Sequence, residues 1–259
     1  MTDSFVSLLG IGKYTAFSIL TLTVSAFVAG LARGFSGFGS ALIFAPLAST
    51  CINPVLVAPL LLITDAFPSL GLLPNAWRNA DRKEVGIMAS GAVLGVPIGT
   101  WILMHAEPVT IRWMIVAAIL PALVLLVSGW RYHGQPGTLS ILGVGLLSGV
   151  FSGLAQIGGP PIVLYWLGGQ RQPGIVRANV ILFFAASIAV AFVVYGINGL
   201  LTPAILGLLV VTIPIYSCGL WIGTQMFGVA VEVVFRKICY TLIAVAVLIS
   251  LPVLDKIIR

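Results

Sequence analysis

Long apolar runs alternate with short polar or glycine-rich interruptions along this chain. A helix that crosses a bilayer needs about 20 apolar residues, and several of the uncharged runs reach or exceed that length. These runs cover residues 14–32, 85–106, 113–130, 132–170, 178–231 and 238–254. The pattern predicts an all-α polytopic membrane protein, because it lacks the short alternating segments of a membrane β-barrel.

Two glycine-rich breaks, at residues 34–40 and 153–161, interrupt the apolar pattern. Each break precedes a short apolar segment, which we expect to be helical over 41–50 and 161–167. The first N–H groups of a helix lack partners and lie at the positive end of its dipole, so they can bind an anion. Irregular backbone at membrane depth is stable only where protein or a water-filled cavity surrounds it. The breaks are therefore a candidate site, and the alternative is that their glycines only allow close helix packing.

The order of segments in the first half of the chain recurs in the second half. The positions that match at constant shifts are Gly30 with Gly149, Gly34 with Gly153, Gly39 with Gly158, Gly95 with Gly219, Gly99 with Gly223, Thr100 with Thr224 and Arg112 with Arg236. We expect two homologous halves, residues 1–133 and 134–259, with five segments each and eight to ten transmembrane helices in total. Internal repeats of this kind are common in transporters.

The basic residues indicate how the two halves are oriented. If the short segments after the breaks cross the membrane, each half has an odd number of crossings and the halves are inverted. Basic residues of membrane proteins collect in cytoplasmic loops. The inverted arrangement places most of them on one side, namely Arg33, Arg78, Arg82, Lys83, Arg131, Arg171, Arg177, Arg236 and Lys237. If the short segments are re-entrant, the chain crosses eight times and the bias is weaker, so the sequence favours inverted repeats.

Residues in or beside the breaks are the candidate substrate-binding residues. They are Arg33, Gly37, Phe38, Gly39, Ser40, Gln156, Gly158, Gly159 and Asn179. A buried arginine in a membrane is costly and usually functional, although Arg33 at a helix end could also snorkel to the headgroups. Gln156 could donate a hydrogen bond to an oxyanion, and Asn179 could line a polar path.

Asp65 lies inside an apolar segment predicted over 55–77 and is a candidate for coupling transport to a proton or cation. The alternatives are a neutral, hydrogen-bonded Asp or an ion pair with an arginine. Trp101, Trp166 and Trp221 fit anchors at the membrane interface.

The composition agrees with a membrane protein, since 59% of the 259 residues are hydrophobic and 8% are charged. The net charge of +6 fits basic cytoplasmic loops, and without a Lys/Arg-rich tract it does not indicate nucleic-acid binding.

The three cysteines, widely spaced in apolar surroundings, indicate neither a disulfide nor a metal site. The sequence contains no catalytic motif. We therefore expect no enzyme and no cofactor or metal.

The two breaks and their flanking residues resemble the sulfite exporter TauE/SafE family of membrane transporters. The resemblance lies in residues 30–46 (GLARGFSGFGSALIFAP), residues 148–161 (SGVFSGLAQIGGPP) and the later Gly95/Gly99 and Gly219/Gly223 pairs. It covers nearly the whole chain. It implies transport of small anions such as sulfite, organosulfonates or related organic acids, often outward.

The residues and the resemblance together predict a secondary transporter, an exporter of a small anion that binds between the two breaks. Its expected location is the cell's inner membrane, with multiple crossings of the lipid bilayer and with protons or cations as a possible coupling ion. Two alternatives stay open at this stage. One is a membrane-embedded enzyme that acts on a lipid-linked substrate, and the other is a non-transporting membrane subunit. The sequence does not define the oligomeric state.

Overall fold

The computed structural model describes residues 14–36, 38–128, 137–168, 172–226 and 232–254. Those residues form α-helices, short 3₁₀ turns and connecting loops, with no β-strand among them. The helices are α1 (Ala16–Ser36), α2 (Ser40–Ala48), α3 (Pro54–Ser69), α4 (Leu73–Asn79), α5 (Arg82–His105), α6 (Pro108–Ser128), α7 (Thr138–Ala155), α8 (Gly159–Gly168), α9 (Pro173–Ile197), α10 (Leu206–Met226) and α11 (Glu232–Ser250). The 3₁₀ turns are Leu70–Leu72, Pro203–Ile205 and Pro252–Leu254.

Seven helical stretches within the described residues are long and apolar enough to cross a membrane. They are α1, α3 continued by α4, α5, α6, α7, α9 and α10. The helices α2 and α8 follow the two breaks and are too short for a full crossing. The prediction of an all-α polytopic membrane protein is confirmed, and the elements follow the predicted order.

The helices continue further into the breaks than the sequence predicts. α1 passes through Gly34 and ends at Ser36, and α7 passes through Gly153 and ends at Ala155. The short helices begin at Ser40 and Gly159. The irregular segments are therefore only a few residues long, and Gly34 and Gly153 are helical residues.

Both of these glycines lie against the backbone of a neighbouring helix. A Cβ added at Gly34 of α1 would overlap the carbonyl oxygen of Leu220 in α10. A Cβ added at Gly153 of α7 would overlap the carbonyl oxygen of Val96 in α5. For Gly34 and Gly153 the close-packing explanation is correct, because only a residue without a side chain lets the two backbones approach so closely.

The predicted repeat relates the α1–α10 pair to the α5–α7 pair. Leu220 and Val96 are related by the same shift as Gly219 and Gly95. In both pairs the helices run parallel, since contacts advance along both chains together. Each pair joins one helix that lies before residue 134 in the chain to one that lies after it.

Replacing Gly153 with leucine is expected to lower the free energy of unfolding by about 3 kcal/mol or more, because a side chain there meets backbone that cannot rotate away. The matched control is Gly143→Leu in the same helix, where the added atom meets nothing within 4 Å. We expect the control to stay within about 1 kcal/mol of the wild type. Thermal unfolding in detergent, followed by tryptophan fluorescence, measures both. Equal stability of the two variants would contradict the packing role of Gly153.

Two polar contacts, one buried and one partly buried, bring the ends of distant helices together. At the start of α6, Arg112 Nη2 donates to the carbonyl oxygen of Ser250, 2.8 Å away at the end of α11. At the start of α5, the backbone N–H of Asp81 donates to Asn179 Oδ1, 2.8 Å away in α9. The ends that these contacts join therefore lie on the same side of the bundle.

The tryptophans divide into two groups. Trp101 and Trp221 are exposed on the bundle surface, as interfacial anchors would be. Trp166 is fully buried, so the prediction of an anchoring role is wrong for this residue. Its ring packs edge-on against Phe183 in α9, at 6.3 Å between ring centroids, because α8 lies inside the bundle.

Candidate functional site

A small, partly enclosed cavity lies where the two breaks meet. Its free volume is about 20 Å³, which is room for a single water molecule. Six of the predicted site residues line it, namely Arg33, Gly39, Ser40, Asp65, Gln156 and Gly159. Residues from both halves of the chain therefore contribute to one cavity, which has almost no free space in this conformation.

Arg33, near the end of α1, is the positive charge in this cavity. Its side chain is 3% exposed, and its Nη2 lies 3.2 Å from Asp65 Oδ2. The guanidinium carbon lies 4.5 Å from the centroid of the Phe184 ring, a cation–π geometry. Arg33 Nε is buried and has no hydrogen-bond partner among the described residues. Arg33 is therefore buried inside the bundle and does not snorkel to the headgroups.

Asp65 of α3 holds this arginine and is itself held by two hydroxyl groups. Tyr216 of α10 donates to its Oδ1, and Ser69 Oγ donates to the same oxygen from 3.2 Å away. Of the alternatives for Asp65, the structure shows the ion pair with an arginine. Removing one partner of a buried ion pair typically costs about 3–5 kcal/mol, because the other charge is left unpaired. When Arg33 and Asp65 separate, each charge therefore needs another partner.

The N-terminus of α2 forms one wall of the cavity. Its N-cap residue is Gly39, whose φ of 95° is left-handed and whose position carries no side-chain cap. Glycine adopts this backbone without strain. The first N–H groups of α2 lack helical partners, and Ser40, Ala41 and Leu42, which carry them, line the cavity.

At the second break, side chains form hydrogen bonds with the carbonyl groups at the end of α7. Gln156 is left-handed, with φ 60°, and its Nε2 donates to Ser152 O at 2.9 Å and to Tyr195 Oη at 3.3 Å. The Tyr195 hydroxyl in turn donates to Gly153 O at 2.8 Å. Both hydrogens of the Gln156 amide are thus used inside the protein in this conformation. Gln156 lines the cavity, but it must change partners before it can donate to a ligand.

Three of the predicted site residues lie away from the cavity lining, which is formed by other residues. Asn179 holds the start of α5, and Phe38 packs against an apolar cluster that includes Trp166. Gly158 lies tightly against Ser148, whose hydroxyl donates to its carbonyl. Gly37, also predicted, falls outside the described residues.

Two aromatic residues at the site were not predicted from the sequence. Phe184 lies over Arg33, and Tyr216 binds Asp65. Under the predicted repeat Phe184 is the position equivalent to Asp65, and this equivalence is the one sequence signal that points to it. The sequence gives no such signal for Tyr216, because a tyrosine in an apolar helix is as common in an ordinary core as at a binding site.

A bundle of membrane-spanning helices with a charged cavity between two helix breaks has the architecture of a secondary membrane transporter. A family model described as Sulfite exporter TauE/SafE matches residues 22–250. The chain belongs to this family and is a multi-pass membrane protein, as its sequence predicts. The matched region contains both breaks and every residue of the cavity described above. Comparisons with curated proteins and with solved structures found no match.

Proposed function

We propose that the protein is a secondary transporter that exports a small anion, such as sulfite, an organosulfonate or a related organic acid, and binds it between the two breaks. The observation that carries the proposal is Arg33, a buried residue that lines the cavity and whose Nε has no hydrogen-bond partner among the described residues. An arginine is costly to bury in a membrane protein and usually marks a substrate or ion path. The bare N-terminus of α2 adds positive potential and free N–H donors beside it.

The cavity must enlarge before it can bind an anion. A free volume of about 20 Å³ holds one water molecule but no oxyanion. The anion enters as Arg33 turns from Asp65 towards it, and movement of one half against the other opens the site to each side of the membrane in turn. In this proposal Asp65 carries the coupling proton or cation.

We also infer that each short helix, α2 or α8, carries the chain across the membrane together with the break before it, which gives ten segments and an inverted arrangement of residues 1–133 and 134–259. If the chain crossed eight times, the start of α6 and the end of α11 would face opposite sides of the membrane, and so would the starts of α5 and α9. The Arg112–Ser250 and Asp81–Asn179 contacts join these ends. Both contacts support the arrangement that the basic residues favour.

Single cysteines introduced at Ala80 and Asn198 are expected to react with a membrane-impermeant maleimide from opposite sides of the membrane. The background for the experiment lacks the three native cysteines, Cys51, Cys218 and Cys239. Labelling of intact cells, compared with inside-out vesicles, gives the side of each position. Labelling of both positions from the same side would contradict the inverted arrangement.

Reconstitution into liposomes tests the transport proposal. We expect saturable flux of methanesulfonate and of sulfite, which is partly the monovalent hydrogensulfite near neutral pH, and much weaker flux of taurine, whose amino group cancels its sulfonate charge. Liposomes without protein measure the leak. Absence of anion flux in a folded, correctly inserted protein would contradict transport, and a second chain that copurifies would then favour the non-transporting subunit.

A further inference from the structure

We propose that the site takes up one monovalent anion together with one proton on Asp65, and that it rejects dianions. This inference rests on the proposed transport function and adds the charge of the substrate and the proton stoichiometry. Its basis is the charge balance of the cavity. Arg33 and Asp65 are the two charged residues that line it within the described part of the chain, and they cancel each other.

Apart from the N-terminus of α2, which offers only a partial positive charge, the rest of the cavity contributes little that could stabilise an uncompensated charge. Its remaining wall is largely apolar, formed by Leu42, Leu61, Ile157, Phe184 and Ile188. Burying a charge in apolar surroundings is costly unless it is paired. Each state of the site should therefore keep a net charge near zero.

The charged residues on neighbouring helices contact other groups. Arg112 of α6 donates to the Ser250 carbonyl, and Glu84 of α5 accepts from the Tyr165 hydroxyl at 2.6 Å. Arg82 of α5 lies over the Trp77 ring, and Arg177 of α9 donates to the Gly34 carbonyl from 3.3 Å. The residues of other helices that contact the Asp65 carboxylate are Arg33 of α1 and Tyr216 of α10.

An anion that binds Arg33 takes the place of the Asp65 carboxylate. Asp65 would then be an unpaired buried charge, unless one of its oxygens binds a proton. With that proton, Arg33 and a monoanion form the new neutral pair. The protonated Asp65 still accepts from the hydroxyls of Tyr216 and Ser69. A dianion would leave one uncompensated negative charge in the cavity.

This charge balance has two measurable consequences. Over the pH range in which Asp65 is ionised in the empty site, the affinity for a monoanion falls roughly tenfold per pH unit, because binding requires one proton. Transport of the monoanion moves no net charge, so a membrane potential alone does not drive it.

Methanesulfonate and sulfate are the probes, since both are tetrahedral and similar in size but carry one and two negative charges. Calorimetric titration of the purified protein should show that methanesulfonate binds with uptake of one proton. The proton uptake is obtained by comparing the binding enthalpy in buffers of different ionisation enthalpy. Sulfate should bind at least about 100-fold more weakly, because a buried unpaired charge is expensive. The variant Asp65→Asn should bind methanesulfonate with no pH dependence, and the control Glu84→Gln should keep the wild-type dependence.

Methanesulfonate binding without proton uptake, or sulfate binding of equal affinity, would overturn the inference and leave the transport proposal intact. Retained pH dependence in Asp65→Asn would also overturn it. If no anion binds and none is transported, the proposed function itself fails. The proton uptake is measured on the wild type, so the test does not depend on whether Asp65→Asn folds.

Discussion

Replacement of Arg33 by glutamine is expected to abolish anion transport. The variant removes the positive charge that faces the cavity and leaves a shorter, uncharged polar side chain. Losing one member of a buried charge pair typically costs about 2–5 kcal/mol of binding, so the affinity should fall by between roughly 30-fold and several thousand-fold. Flux into proteoliposomes and titration of the purified variant measure the two effects.

Stability must be separated from transport in this experiment. Arg33→Gln leaves Asp65 without its ion-pair partner, and that loss can destabilise the protein. The double variant Arg33→Gln/Asp65→Asn removes both charges and should recover thermal stability while it still fails to transport. Wild-type flux in the double variant would show that neither charge recognises the substrate.

Replacement of Gly39 by leucine is expected to reduce flux to the level of protein-free liposomes while the protein still inserts into the membrane. A Cβ at Gly39 meets no atom within 4 Å, and Gly39 lines the cavity, so the larger side chain fills the space the anion needs. The left-handed backbone at this position, with φ 95°, adds a strain of about 1–2 kcal/mol.

The matched control is Gly39→Ala. Alanine meets the same backbone strain but adds a single methyl group to the cavity. We expect this variant to lose similar stability and to keep measurable flux. If leucine and alanine transported equally well, the N-terminus of α2 would not be part of the substrate path.

The fold class could be predicted because long apolar runs determine it almost alone. The positions of the helix ends could not. Gly34 and Gly153 look like helix breakers in the sequence, yet they lie within α1 and α7 because their bare faces contact α10 and α5. That contact depends on the arrangement of helices that are far apart in sequence.

The site could be predicted in part for a similar reason. Arg33 and Asp65 are conspicuous as charges in apolar segments, but their pairing depends on how α1 lies beside α3. Phe184 and Tyr216 carry no charge, and nothing in their local sequence distinguishes them from core residues. Asn179 is conspicuous as a polar residue at membrane depth, but it holds the start of α5.

The position of a bound anion tests the central claim most directly. Bromoethanesulfonate carries a single sulfonate charge and a bromine atom that anomalous X-ray scattering can locate in crystals of the protein. We expect a bromine peak in the cavity beside Phe184, with the sulfonate on Arg33 and the N-terminus of α2. A bromine peak elsewhere, with the Arg33–Asp65 ion pair still closed, would contradict that claim.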